Sequence, residues 1–408
     1  MVKFILGGNM NKVKEADALL LISGLRKIIA IFLGPFLTAY FIKESSEYLI
    51  DIAIYRGLCY FFLGLGGIII GYIIKDKINV NIFRTGIVCY FIYILFIIIL
   101  RENILNHLPM MGLLYGLSSI LYHYPFNLYS SEKVSNGYRG EYEFKKKTLS
   151  MIIGTVVPFM LGSVISTTNF IITAIIILFI CFLQFVLSFK ITPMNNKDKH
   201  FTPLSSIRSL MKDRSVRSII KADFYRGMNV GDGALEILTT VLIFNAFKTD
   251  LNLGIVTSLS GLFIVIMQYF YTKYYKNRDD KSVIIYSSIL PVICVILLLL
   301  FKTNLVLIIY YFVYTVLLNI LVLIQDVRLY NISNSKLVKK TDRMEFWSIR
   351  EAFLNLGRIA SYVLLLIVSL LNNTTYLNYL LIFLSLTIIL MGYNLSKVTK
   401  NEKINRVG

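Results

Sequence analysis

Apolar runs of about 20 residues recur along the whole chain, and they restrict its possible folds more than any other feature. A helix needs roughly 20 mostly apolar residues to cross the hydrocarbon core of a bilayer. We therefore predict an all-α polytopic membrane protein with twelve transmembrane helices. The predicted spans are 18–42, 49–74, 80–100, 108–130, 148–166, 169–189, 222–246, 252–272, 282–301, 304–326, 349–371 and 376–395.

Composition supports a membrane protein over a soluble one. Of the 408 residues, 56% are hydrophobic and only 16% are charged, whereas soluble globular domains are about a quarter charged. Isoleucine, lysine, asparagine and tyrosine are abundant, which suggests an AT-rich bacterial genome and a place in the bacterial plasma membrane. The N-terminal apolar run is too short for a signal peptide, and translation from Met10 is an alternative to translation from Met1.

The distribution of basic residues predicts the orientation. Of the 42 lysines and arginines, 32 lie on one side if the N-terminus is cytoplasmic, four lie on the other side and six lie within spans, with Arg350 at the start of the eleventh span counted in the loop before it. Cytoplasmic loops retain Lys and Arg, so we expect both termini inside. The same rule explains the net charge of +19 without a nucleic-acid partner.

The chain divides into two similar parts. A basic cytoplasmic linker, 190–221, separates a six-helix bundle at 1–189 from a second one at 222–408. "GLCYFFLGLGGIIIGYIIKDK" at 57–77 and "GLFIVIMQYFYTKYYKNRDDK" at 261–281 share their first and last two residues. This faint repetition, 204 residues apart, agrees with duplication of a six-span unit.

The loop after the second span reads "GYIIKDKINVNIFR", which resembles the glycine-aspartate-basic motif of the major facilitator superfamily. The spacing from Gly71 to Asp76 is one residue longer than in that motif, and a later glycine is missing. The family resemblance also covers the twelve spans, the inside termini and the basic central loop. It implies a transporter whose halves rock around a midplane site lined by the first, fourth, seventh and tenth spans.

The same resemblance implies inner gates at the cytoplasmic loops. The repeat-related pairs Asp76-Lys77 and Asp280-Lys281 are one set of candidates. Glu143 and Glu345 occupy matching places in "EYEFKKK" and "RMEFWSIRE" and form a second set. Charged, solvated turns without a gating role explain these loops equally well.

The seventh span carries charged residues at mid-membrane depth. Treated as one helix, it places Arg226, Asn229, Asp232, Glu236 and Thr240 on one face. Two acids facing lipid would cost several kcal/mol, about 2.5–3.5 for each charge, so we expect this face to meet protein or a wet cavity. One interpretation is a substrate or proton site. The other is a buried ion pair between helices, with Arg358 or Arg26 as partner.

Further polar residues lie in the other predicted cavity-lining spans. We interpret Arg26 as a contact of an anionic substrate or of an acid on the seventh span, and His123 as a proton relay or an ordinary hydrogen-bonded histidine. Tyr122 and Tyr314 are candidates for stacking on an organic substrate. Arg358 shares a face of the eleventh span with Glu351 and Asn355, and we expect another helix to supply its partner.

These patterns predict a secondary transporter for a small organic solute, with a proton as candidate coupling ion. The sequence contains no nucleotide-phosphate loop, metal cluster or nucleophile-base set, so we expect neither an enzyme nor an ATP-driven pump, and no cofactor. We expect a monomer in the lipid bilayer. An alternative is a non-transporting or lipid-moving membrane protein that kept the fold.

Overall fold

The computed structural model describes residues 10–74, 80–134, 139–193, 203–275, 280–333, 338 and 343–398. These residues are helical or in short connections, and the described part of the chain has no β-strand. Eleven of its helical segments are long and apolar enough to cross a membrane. One of them, Val80–Asn127, is 48 residues long and contains a 3-10 turn at Arg101–His107. The predicted all-α membrane fold is therefore confirmed.

The helices follow the predicted spans closely, with most ends within a turn or two of the expected residues. Their bounds are α1 Met10–Ile31, α2 Leu37–Glu44, α3 Tyr48–Ile74, α4 Val80–Leu100, α5 Leu108–Lys133, α6 Arg139–Thr167, α7 Phe170–Ser188, α8 Pro203–Leu210, α9 Arg214–Asn229, α10 Ala234–Phe247, α11 Asp250–Tyr275, α12 Lys281–Phe301, α13 Asn304–Ser333, α14 Arg343–Leu370 and α15 Thr374–Ser396.

Two of the spans are interrupted. A π-helical turn, Phe32–Phe36, joins α1 to α2 and contains Pro35. Proline lacks the N–H that an α-helix needs at that position, so the turn widens there. The predicted seventh span is not one helix, because it breaks between α9 and α10 at residues 230–233. The assumption of a continuous polar stripe on that span is therefore wrong.

The seventh span also begins earlier than the predicted residue 222. Asp213 caps α9, since its Oδ1 accepts the N–H groups of Ser215 at 2.8 Å and of Val216 at 3.0 Å. An aspartate before a helix is a strong start signal, and the apolar-run criterion does not detect it. The predicted linker region therefore contains α8 and the first turns of α9.

The helices before and after α8 pack in the same pattern. In the first set, α1 contacts α6 and α7, and α4 contacts α5 and α7. In the second set, α9 contacts α14 and α15, and α12 contacts α13 and α15. Between the sets, α3 packs on α14, α6 on α11 and α2 on α10. The broken spans α1–α2 and α9–α10 thus hold equivalent places in the two sets.

Candidate functional site

The candidate site is the break between α9 and α10, which comprises residues 230–233. Gly231 and Asp232 have φ values of +67° and +68°, in the left-handed region. Glycine adopts this conformation freely, and aspartate tolerates it better than most residues. Space is also tight at Gly231, because a Cβ there would lie 3.1 Å from Nη2 of Arg358. The sequence Gly-Asp-Gly at 231–233 therefore unwinds the span locally.

Side chains from three other helices stabilise the unwound backbone. Tyr362 of α14 donates its hydroxyl proton to the Asp232 carbonyl at 2.7 Å, and Ser361 Oγ accepts the Ala234 N–H at 3.2 Å. Tyr314 of α13 donates to the Asn229 carbonyl at 2.5 Å. The Asn229 side chain donates to Thr387 of α15 at 2.7 Å. Unwound backbone within a membrane needs such partners, because lipid supplies none.

Arg56 of α3 connects the two interrupted spans. Its Nη2 donates to the Leu33 carbonyl at 2.8 Å, within the π-helical turn. Its Nη1 lies 3.9 Å from Oδ1 of Asp232 in the other interrupted span. The Arg56 side chain is 1% exposed, whereas that of Asp232 is 39% exposed. The arginine is thus fixed in the protein, and the carboxylate borders open space at the boundary between the two helix sets.

Glu236 stabilises the C-terminal end of the break, where α10 begins. Its Oε2 accepts the backbone N–H of Asp232 at 3.0 Å, and it lies in the first turn of α10. A carboxylate at a helix N-terminus is favoured by the unpaired N–H groups and the positive end of the helix dipole. Glu236 therefore has a structural function in the break that the sequence analysis did not assign to it.

Arg358 lies on the other side of the break, and it has no carboxylate within 4 Å among the described residues. Its Nη1 donates to Asn355 Oδ1 at 2.7 Å, and its guanidinium carbon is 4.7 Å from the centre of the Tyr60 ring. Another helix, α3, thus contributes the Tyr60 ring beside Arg358. The ion-pair interpretation of the seventh span named Arg358 or Arg26 as the partner of its acids, whereas the structure has Arg56 next to Asp232.

Arg226, which we grouped with the two acids on one face, and Arg26, which we interpreted as a contact of a substrate or of an acid, both have other partners. Arg226 pairs with Asp326 of α13, with Nη1 2.6 Å from Oδ1. Since α9 ends before Asp232, Arg226 and the two acids are not on one helical face. Arg26 donates to the Tyr90 hydroxyl and stacks on that ring, with 3.7 Å between its guanidinium carbon and the ring centre. It is not paired with an acid among the described residues.

The other predicted cavity residues divide into buried and exposed ones. Tyr122 is 1% exposed, stacks on Phe126 with ring centres 5.5 Å apart and accepts a hydrogen bond from Gln184 at 3.2 Å. This packing leaves it little surface for a substrate. Tyr314 and Asn229 are buried as well and hold the break. His123 is exposed on α5 and packs edge-on against the Tyr122 ring, with ring centres 5.0 Å apart. Its role as a proton relay stays a prediction.

Two of the predicted gate residues, Asp76 and Lys77, lie outside the described residues. Asp280 is buried and forms an ion pair with Arg328 of α13. Arg328 also donates to the carbonyls of Leu395 at 2.6 Å and Val398 at 2.5 Å. This pair therefore binds the end of α15 to α13, within one helix set. Lys281 begins α12, Glu143 is exposed on α6 and Glu345 is buried on α14.

Sequence reasoning missed two groups of charged residues. Arg56 was recognised within the second span but received no role, although it is the closest cation to Asp232. Asp223 is fully buried and accepts hydrogen bonds from Gln325 at 2.9 Å and Arg350 at 3.2 Å. Each of the charged residues Arg56, Asp223 and Arg350 can be found by searching the apolar runs for charges. Which of them pair across distant helices cannot be read from a single sequence.

One relative in sequence spans nearly the whole chain. The chain is 25% identical over 405 residues to the uncharacterised protein YqgE of Bacillus subtilis (strain 168), covering 97% of this chain and 92% of YqgE. No protein-family model matches the chain.

Three solved transporter structures cover nearly all of the chain. The peptide transporter POT in complex with sulfate is 13% identical, with a TM-score of 0.66, and the match covers 97% of this chain and 96% of that one. A bacterial homologue of the human lysosomal transporter Spinster, inward-facing, is 11% identical with a TM-score of 0.64, covering 96% and 98%. The human organic anion transporter MFSD10 is 12% identical with a TM-score of 0.59, covering 94% and 99%.

These matches cover 94–97% of the chain and so extend over both helix sets. The chain therefore has the fold of the major facilitator superfamily transporters, as the sequence resemblance predicted. It is a multi-pass membrane protein.

Proposed function

We propose that the chain is a secondary transporter that moves a small organic solute across the bacterial plasma membrane by alternating access. Counting α4 and α5 as separate spans gives twelve spans, and an even number agrees with both termini on the cytoplasmic side. The two moving units are the bundles predicted at 1–189 and 222–408, the second extended back to the start of α9 at Arg214. The cytoplasmic linker, predicted at 190–221, is shortened accordingly. The transporter acts as a monomer, and the substrate path follows the boundary between the bundles.

One observation supports this function best: the unwound segment 230–233 places Asp232 beside Arg56 of the opposite bundle, near the middle of the 34-residue segment Arg214–Phe247. Breaking a transmembrane helix and burying charges there are both costly. Discontinuous helices at the midplane of transporters place helix ends and carboxylates at the substrate and ion sites. A role in transport explains why the break and its charges are present together.

Several polar contacts between the bundles can break and form again as the bundles move during transport. Lys43 of α2 forms an ion pair with Asp250 of α11, and Asn245 of α10 donates to the Tyr48 hydroxyl at 3.1 Å. Lys43 and Asn245 lie near the C-terminal ends of the two broken spans, so these contacts join the bundles on the side of the membrane opposite to the N-terminus. A rocking motion that opens this side separates Lys43 from Asp250, and it also separates Arg56 from Asp232.

Asp232 is the better candidate for the coupling proton than Glu236. The Glu236 carboxylate accepts the Asp232 N–H and stabilises the start of α10. The Asp232 side chain borders open space and lies 3.9 Å from its cationic partner. Protonation of Asp232 removes the charge that attracts Arg56 across the boundary between the bundles. Proton binding and bundle movement are thereby coupled.

The first test is a flux screen on purified protein in liposomes. A panel of labelled organic acids, short peptides and cationic dyes is offered with and without an inward pH gradient. Saturable uptake of one solute, stimulated by the gradient, supports the proposal. A parallel assay follows the movement of fluorescent phospholipids between leaflets. Lipid movement without solute flux favours the lipid-moving alternative, and neither activity favours a non-transporting protein.

A further inference from the structure

Cationic side chains outnumber acidic ones around the break. Arg56 Nη1 lies 3.9 Å from Asp232 Oδ1, and Arg358 Nη2 lies beside Gly231. Arg26 precedes Lys27 on α1. Lys27 of α1 lies within range of both Asp232 and Glu236. We call Arg26, Lys27, Arg56 and Arg358 the basic cluster. Three of these cations, Lys27, Arg56 and Arg358, act on Asp232, while Arg26 lies against the Tyr90 ring. The cations near the break therefore outnumber its two acids.

The basic cluster also has unused hydrogen-bond donors. Among the described residues, no partner accepts from Nε and Nη1 of Arg26, from Nη1 of Arg56 or from Nε of Arg358. Arg26 is 6% exposed and Arg56 is 1% exposed. A buried, charged donor without an acceptor is costly, because it has lost water without gaining a replacement. An anionic ligand would supply both the missing acceptors and the missing negative charge.

Arg56 is oriented for such a ligand. Its Nη2 is fixed by the Leu33 carbonyl, while its Nη1 faces Asp232 at 3.9 Å, beyond hydrogen-bond distance. A carboxylate bound to a guanidinium normally lies about 2.7–2.9 Å from the nitrogen. Asp232 is thus a loosely held counterion, and its partly exposed side chain has space in which to turn away.

We propose that the solute carries a carboxylate, and that this carboxylate binds Arg56 Nη1 in the place of Asp232. This inference rests on the proposed transport function and adds the chemical class of the substrate. Arg358 provides a second cation on the far side of the break, and Tyr60 lies beneath its guanidinium. Binding of the anion and neutralisation of Asp232 favour each other, because both release Arg56 from Asp232.

A cationic solute fits the same surroundings poorly. Glu236 already accepts the Asp232 N–H, and the N-terminus of α10 adds positive potential beside it. Asp232 faces Arg56 already. A cation would have to displace these groups while it approached Arg358 and Lys27.

Several titratable groups face Asp232, and the test must separate them from it. They are Lys27 of α1, Arg56 and Tyr60 of α3, Tyr115 of α5, Glu236 of α10, and Arg358 and Tyr362 of α14. His123 of α5 lies within range of Arg26 and Arg358. The comparison of wild type with Asp232→Asn isolates the contribution of Asp232, since the other groups are the same in both proteins.

The experiment measures binding of three ring compounds to the purified full chain: benzoate, neutral benzamide and cationic benzylamine. Benzoate should bind and raise the melting temperature, and the other two should not. Arg56→Gln should weaken benzoate binding by about tenfold or more, the value for loss of one charged hydrogen bond. The control Arg84→Gln removes an arginine that contacts carbonyls of α7 and its C-terminal end, and binding should not change.

Asp232→Asn should strengthen benzoate binding, because the resident competitor for Arg56 is lost. If Arg56→Gln does not fold, Arg358→Gln replaces it and should weaken binding as well. Equal binding of benzoate and benzamide, or weaker binding in Asp232→Asn, would overturn the proposal.

The outcome also separates this inference from the proposed function. Saturable flux of a neutral or cationic solute, unaffected by benzoate, would leave transport intact and refute the carboxylate. Specific binding of benzoate without flux of any solute would leave the anion site intact and refute transport.

Discussion

The close contact between α9 and α14 positions the candidate site, and Gly227→Ala tests it. A Cβ at Gly227 would lie inside contact distance of the Leu354 carbonyl, and one at Gly357 would do the same with the Phe224 carbonyl. The atoms in the way are backbone, so the helices themselves must separate. This would move Arg358 and Tyr362 away from the unwound segment.

The expected change in the free energy of unfolding of Gly227→Ala follows from two opposing effects. Overpacking against backbone costs typically 1–3 kcal/mol, and we take about 3 because no side chain is free to move. Alanine is about 1 kcal/mol more favourable than glycine in a helix. The net loss is therefore about 2 kcal/mol, which lowers the melting temperature of the purified protein by several degrees.

The matched control is Gly154→Ala in α6, where an added Cβ meets nothing within 4 Å. Thermal denaturation followed by size-exclusion chromatography compares wild type with both variants. We expect Gly227→Ala to melt earlier than wild type and Gly154→Ala to melt at the same temperature or slightly later. Equal melting of Gly227→Ala and wild type would show that α9 and α14 are not in backbone contact, and it would refute the geometry of the site.

Three further predictions concern topology, the buried ion pair and the break. A cysteine at Ser206 should resist an impermeant thiol reagent added to intact cells, and ready labelling would reverse the orientation. Asp280→Asn should destabilise the fold by about 3–5 kcal/mol, because it leaves Arg328 buried without its partner; an unchanged melting temperature would contradict that pairing. Tyr362→Phe should lower the free energy of unfolding by about 1 kcal/mol through the lost hydrogen bond to the Asp232 carbonyl. Solute flux should fall further than this loss of stability explains, and unchanged flux would remove Tyr362 from the site.

The fold was predictable because its signals are local. Apolar runs define the spans, and the helices α3, α4, α12 and α15 begin and end within about two residues of the predicted bounds. The same local criterion failed at the seventh span. The apolar run of this span has the length of one continuous helix. The left-handed backbone conformations of Gly231 and Asp232 nevertheless interrupt the helix.

The candidate site was only partly predictable, because it depends on pairing between distant helices. Asp232 and Glu236 were identified from their depth in the membrane, which requires no knowledge of neighbours. Arg56 also lies within a predicted span, yet its contact with Asp232 joins residues from opposite bundles, which the sequence does not show. The polar stripe that grouped Arg226 with the acids assumed one continuous helix, and the break removed that relation.

Gradient-driven uptake by Asp232→Asn and Glu236→Gln is the most direct measurement of the central claim. Wild type and both variants are reconstituted in liposomes with the solute that the flux screen identifies. We predict that Asp232→Asn folds, exchanges solute by counterflow and fails to accumulate it on a pH gradient. Glu236→Gln should retain accumulation, since its amide oxygen still accepts the Asp232 N–H. Full accumulation by Asp232→Asn would contradict the account.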